Sequence, residues 1–162
     1  MKSYAIISDI HSNSLALKAV LEDIRSRKID RIINLGDHFF GALEPEAVAD
    51  MLRANEMLCI SGNTDREILE SVDGDFDKEG MARVKAELSE QSITWLRTLL
   101  KTASCDGLFF VCHGTPGSDD EYLLEKVTAN GVFVYNDEEL IAKLAHVRER
   151  VILCGHSHVN RV

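Results

Sequence analysis

Four cysteines are all this sequence has, Cys59, Cys105, Cys112 and Cys154, and no two stand in a C-x-x-C pair. That spacing offers neither a thiolate metal site nor a disulfide framework, and reads as small buried hydrophobes in a reducing compartment. There are two prolines and no low-complexity tract, so a disordered chain is not expected. Long apolar runs are missing too. The N-terminal run MKSYAII ends at Asp9, too short to span a bilayer or to form the core of a signal peptide. A cytoplasmic protein with no membrane partner is therefore expected. Positive charge is scarce, with 18 Lys and Arg against 27 Asp and Glu and a net charge of -9. Bulk nucleic-acid binding needs clustered cations to neutralise phosphates, and is excluded as a partner class.

What is present is ordinary for a globular protein: 45% hydrophobic and 28% charged residues in 162 positions, enough for one domain spanning 1–162 with its own core. Apolar runs alternate with amphipathic segments. Strands are predicted at Tyr4–Ser8, Arg31–Leu35, Met57–Ser61, Leu108–Cys112 and Val151–Cys154. A helix capped by Ser12 or Asn13 carries Leu17, Val20, Leu21 and Ile24 on one face, and Pro45 opens a second with Val48, Met51 and Leu52. Asp73 to Lys101 reads as helix in two stripes, Met81, Val84, Leu88 and then Ile93, Leu96, Leu100, with Ser89 as a cap between them. Asp106-Gly107 signals a hairpin turn, 114–122 a loop, and Asp137 to Val147 a helix turning Leu140, Ile141, Leu144 and Val147 inward. Near-continuously apolar strands between helices indicate an α/β fold whose strands are buried on both faces.

Each predicted strand is followed by a potential metal ligand: Asp9 and His11, then Asp37, Asn63, His113, and finally His156 with His158. Strand ends are where ligand sites assemble in α/β sheets, so the loops can meet on one rim. A mixed Asp, Asn and His set suits Mn²⁺, Fe²⁺ or Zn²⁺ better than Mg²⁺ or Ca²⁺. Seven donors exceed one zinc ion and fit two ions sharing a carboxylate, an arrangement about 3.5–4 Å across that serves displacement at phosphorus.

D-x-H, G-D, G-N-x-D, H and G-H-x-H, in this order from Asp9 to His158, resemble the calcineurin-like metallophosphoesterase superfamily. The short bacterial and archaeal phosphodiesterase branch is the nearer likeness, because the chain is small and its third block reads Gly62-Asn63-Thr64-Asp65. The resemblance implies an αββα sandwich of two packed mixed sheets flanked by helices. It places Asp9, His11 and His158 on one divalent ion, Asn63, His113 and His156 on the other, and Asp37 between them. Asp65 is implied to orient its neighbours. The ions would be two Mn²⁺, with Fe, Zn or Ni as alternatives. Asp37, Asn63, Asp65 and His113 are the implied catalytic set, and the implied reaction is direct attack on phosphorus by a hydroxide bridging the ions.

Two departures shape the expected substrate. Thr64 stands where the family often has a proton-donating histidine, which disfavours poor leaving groups and favours phosphodiesters or phosphoanhydrides. A phosphorylated small molecule or nucleotide is the expected partner, contacted by Asn63, Thr64, His38 and Arg66, with His38 as a replacement proton donor or phosphate contact. The superfamily also usually continues past G-H-x-H into further strands, so a truncated chain lacking its C-terminal strands is expected, or a homo-oligomer covering an open edge. A protein Ser/Thr phosphatase or phosphomonoesterase on the same site, and a non-catalytic binding scaffold on the same fold, are the rival readings.

Overall fold

The computed structural model describes residues 2–41, 43–71 and 79–161. β1 (Tyr4–Ile7), β2 (Arg31–Asn34) and β3 (Leu58–Cys59) form a parallel sheet in that order, with Tyr4 beside Arg31 and Ile33 beside Leu58. α1 (Ser14–Ser26) and α2 (Pro45–Ala54) make the two crossovers. The Asn13 side chain accepts from Ala16 N at 3.0 Å, which caps α1, and Pro45 occupies the first turn of α2. α3 (Asn63–Glu70), α4 (Glu79–Glu87) and α5 (Glu90–Thr98) complete the helical layer. Residues 73–78 of the predicted helical segment lie outside the described residues.

β4 (Thr102–Cys105) and β5 (Phe109–Cys112) form an antiparallel hairpin, and β8 (Val151–Leu153) joins β5 in parallel. Asp106 and Gly107 both have positive φ, 54° and 64°, in the tight turn that joins the two twisted strands. One core, built on Leu17, Leu21, Val48, Leu52, Ile68 and Leu96, lies between the first sheet and helices α1–α5. A second, built on Ile33, Leu35, Ile60 and Val111, lies between the two sheets. Ile32 faces the first core and Ile33 the second, which is why β2 reads as an unbroken apolar run. The sandwich of two packed sheets flanked by helices is thus the observed architecture. The first sheet is parallel throughout and the mixed pairing lies in the second.

Several details differ from expectation. β6 (Glu125–Thr128) and β7 (Gly131–Val134) form a hairpin that the sequence reading passed over, although Asn130-Gly131 is a turn signal and Gly131 takes φ 125°. α6 (Asp137–Lys143) ends before Val147 and buries no residue, and Ile141 is 69% exposed instead of inward. Strand β7 of the neighbouring hairpin is itself exposed, so among the described residues α6 has little to pack against. Val20 also faces outward, and Leu100 leaves the helical stripe to form a bridge with Ile60. Among the described residues no helix is long and apolar enough to cross a membrane.

Candidate metal centre

The loops that follow β1, β2, β3, β5 and β8 meet on one rim because their backbones extend the sheet pairing. Asp9 N donates to Gly36 O at 3.0 Å, His11 N to Asp37 O at 3.1 Å and Gly155 N to His113 O at 2.8 Å. His156 N closes the gap between the two sheets by donating to Asp9 Oδ2 at 3.2 Å. Eight non-glycine residues have positive φ among those described, and six of them, Asp9, His11, Ser12, Asp37, His156 and His158, stand in these loops. Left-handed backbone costs about 1–2 kcal/mol per such residue, and strain of this kind concentrates at functional sites. Gly62 is required by close approach, since a Cβ there would collide with the Asp37 carboxylate and lie 2.5 Å from Asp37 N.

Two clusters result. Asp9, His11 and His158 offer one set of ligand atoms, and Asp37, His113 and His156 another, the atoms of each set lying within 4.8 Å of one another. Asp37 faces both, with Oδ1 3.3 Å from His113 Nε2 and Oδ2 3.9 Å from His11 Nε2. Asn63 Oδ1 lies 3.1 Å from His113 Nε2, at the second cluster. His113 Nδ1 donates to Leu35 O at 2.7 Å, which turns the Nε2 lone pair toward the carboxylates.

These donors fit cations. Asp9 Oδ1 is buried and accepts no hydrogen bond, yet His158, His11 and His113 Nε2 stand 3.2, 3.9 and 4.0 Å from it. Burial lowers the His11 pKa from its ordinary value, favouring the neutral ring. Burial also works against the proton on His113, but Asp37 outweighs it and raises the pKa; the same contact, with the Thr64 amide, takes Asp37 below the usual carboxylate range against its own burial. Two carboxylates, four imidazoles and an amide oxygen therefore converge where positive charge is wanted, and no thiolate joins them. Burial pushes the Cys112 thiol up to about 12, so it stays protonated.

Comparison with known proteins agrees with this geometry: residues 1–162 match the calcineurin-like phosphoesterase superfamily domain. The chain belongs to that superfamily. It is 32% identical to an uncharacterized protein of Methanocaldococcus jannaschii, over 96% of this chain and 62% of that protein. A metallophosphoesterase from Sphaerobacter thermophilus superimposes with a TM-score of 0.76 at 24% identity, covering 96% of this chain and 60% of that one. A hypothetical protein of Pyrococcus horikoshii follows with a TM-score of 0.72 at 19% identity, covering 93% and 68%. Both structural likenesses concern the fold. The chain spans about three-fifths of the length of the Methanocaldococcus and Sphaerobacter proteins.

Asp65 is fully buried beneath the rim and accepts from Gly62 N, Asp37 N and His38 N at 2.9–3.0 Å. It ties the second and third superfamily motifs together and does not face the clusters' open side. Thr64 is also buried, and its amide donates to Asp37 Oδ1 at 3.0 Å. Two expected substrate contacts, His38 and Arg66, stand against carboxylates in this structure. His38 has no exposure; its Nδ1 lies 2.7 Å from Asp65 Oδ2 and its ring meets Trp95 edge-on at 5.5 Å. Burial opposes charge on that ring, and Asp65 outweighs it, lifting the pKa to about 10. Arg66 instead grips the loop at 114–122: Nε and one amino group meet the Asp119 carboxylate at 2.8 and 3.1 Å, and Asp120 lies at 2.8 Å. That doubly engaged guanidinium is matched by carboxylates.

What this clamp supports has no clear mark in the sequence. Asp120 O accepts from His156 Nε2 at 3.1 Å, so the loop held by Arg66 touches the second cluster directly. Its only local signal was an acidic run, which by itself reads as a solvated loop.

Proposed function

We propose that this chain hydrolyses phosphodiester or phosphoanhydride bonds with the help of two divalent ions, Mn²⁺ foremost. The carrying observation is that Asp37 presents one carboxylate oxygen to each of two ligand clusters. When bound, two such ions supply Lewis acidity, an acidified water and charge neutralisation at phosphorus. The chain's own part is placement. Asp9, His11 and His158 would hold one ion and Asn63, His113 and His156 the other, with Asp37 shared. Asp65 fixes the backbone beneath Asp37 and Asn63, and the Leu35 carbonyl fixes the His113 tautomer.

The leaving-group preference follows from what faces the site. Thr64 and His38 are both buried, so the position that would need an imidazole donor has none. Esters whose leaving group departs without a proton are the suitable substrates, which favours anhydrides and diesters with acidic leaving groups over alkyl monoesters. A nucleotide or other phosphorylated small molecule is the substrate class.

Hydrolysis of bis-p-nitrophenyl phosphate against p-nitrophenyl phosphate, on protein stripped with chelator and reloaded with Mn²⁺, tests this reading. Metal-dependent cleavage favouring the diester is expected, with Asn63→Ala and His156→Ala each reducing kcat on the order of 100-fold. Cleavage that persists after stripping, or a preference for the monoester, would contradict it.

A further inference from the structure

Each cluster has an aromatic ring on its flank, and neither ring has a part in the reading above. Tyr122 lies over His156, ring centres 4.8 Å apart at 33°. Phe40 meets His11 edge-on at 5.6 Å and 70° and is 47% exposed, with Leu43 also exposed in the same loop. Single exposed apolar residues are common on protein surfaces. This one is held in place. Phe40 N donates to Ser12 Oγ at 3.1 Å, and Ser12 has no solvent exposure. Ser12 also donates from its amide to His38 O at 2.9 Å and accepts from Glu44 N at 3.1 Å. The segment bearing the phenyl ring is therefore tied before and after Phe40 to the loop bearing His11.

Charge narrows what the ring can meet. Arg66 is matched by Asp119, Asp120 and Glu70, so its charge is already compensated within the chain. A neutral planar group suits an exposed phenyl ring on an acidic chain, because stacking needs a flat π-face and no charge.

We propose that Phe40 is a stacking platform beside the ligand clusters, so that the phosphoester accepted here carries a nucleobase or a comparable aromatic ring. This rests on the phosphoesterase reading above and specifies its substrate.

Calorimetric titration of the Mn²⁺-loaded chain with inorganic phosphate, ribose 5-phosphate and AMP tests the inference without relying on turnover. AMP is expected to bind about tenfold more tightly than ribose 5-phosphate, within the range for one base on one aromatic side chain. That ratio should fall to near one in Phe40→Ala and be kept in Phe40→Trp. Should Phe40→Ala fail to fold, Phe40→Leu, which keeps bulk but loses the flat ring, carries the same expectation. A ratio near one in the unaltered chain, or an unchanged ratio in the ring-less variant, overturns the inference alone, provided inorganic phosphate binds. Absence of phosphate binding overturns the phosphoesterase reading and this inference with it.

Discussion

His11 Nε2 and His158 Nε2, from residues 147 apart in the chain, stand 3.1 Å from each other. Asp9 Oδ1 lies 3.2 Å from the same His158 nitrogen. One proton can satisfy a single pair among these atoms, whereas a divalent ion can satisfy all of them. Saturating Mn²⁺ is therefore expected to raise the melting midpoint of stripped protein, by about 2.7 kcal/mol of stability when free ion is 100 times the dissociation constant. Scanning calorimetry should show a smaller rise in His158→Ala. Identical midpoints with and without ion in the unaltered chain would count against a metal site here.

His38 is expected to matter for stability and not for substrate affinity. Removing its ring leaves the buried Asp65 carboxylate without its side-chain partner. Breaking a buried pair in this way costs roughly 3–5 kcal/mol. His38→Leu should thus lower the melting midpoint by about 10 °C, while KM stays near that of the unaltered chain at temperatures where the variant is folded. A raised KM with an unchanged midpoint would restore His38 as a substrate contact.

Arg66→Ala should loosen the 114–122 loop and through it His156. The expected sign is weaker binding of the second equivalent of Mn²⁺ in an equilibrium titration, with the first equivalent little changed. Arg66→Lys is expected to recover only part of the loss, because a single ammonium cannot reproduce the paired contacts to Asp119. Equal weakening of both equivalents would mean that Arg66 acts on the whole rim.

Glu46, in the first turn of α2, accepts from Ser89 N at 2.9 Å and from the Ser92 hydroxyl at 2.8 Å, joining α2 to the start of α5. Burial opposes its ionisation, but the Ser89 amide and the Ser92 and Ser89 hydroxyls outweigh it and hold its pKa below the ordinary 4.5. A carboxyl lowered on folding adds stability above its unfolded pKa and loses it as pH falls through the folded one. The side chain is 35% exposed, so the contribution is discounted for screening. Glu46→Gln should cost roughly 0.5–1 kcal/mol in urea unfolding at pH 7, and the difference should shrink as pH drops below the ordinary carboxylate pKa. A difference independent of pH would mean that the charge on Glu46 is irrelevant to the contact.

The local pattern was a good guide wherever one element's own residues decide the outcome. Apolar runs mark β1, β2, β5 and β8, Pro45 marks α2, and Asp106-Gly107 marks the β4–β5 turn. The loop residues meeting on the rim were legible for the same reason: each follows its strand directly. Direction was not legible. His38 follows Asp37 immediately yet points into the core, because Asp65 and Trp95 lie there, 27 and 57 residues later in the chain by number. Arg66 reads as a free cation until Asp119 and Asp120 fold back on it. α6 has an amphipathic pattern, but only the tertiary structure reveals that none of its residues is buried among those described.

The cluster of Asp9, His11 and His158 draws on both ends of the described chain. Closing a loop of about 100 residues removes on the order of 4–5 kcal/mol of chain entropy from the unfolded ensemble when the link is covalent. An ion held there acts as a reversible counterpart of such a staple. It also sets a condition during synthesis: neither cluster can be completed before His156 and His158 have left the ribosome.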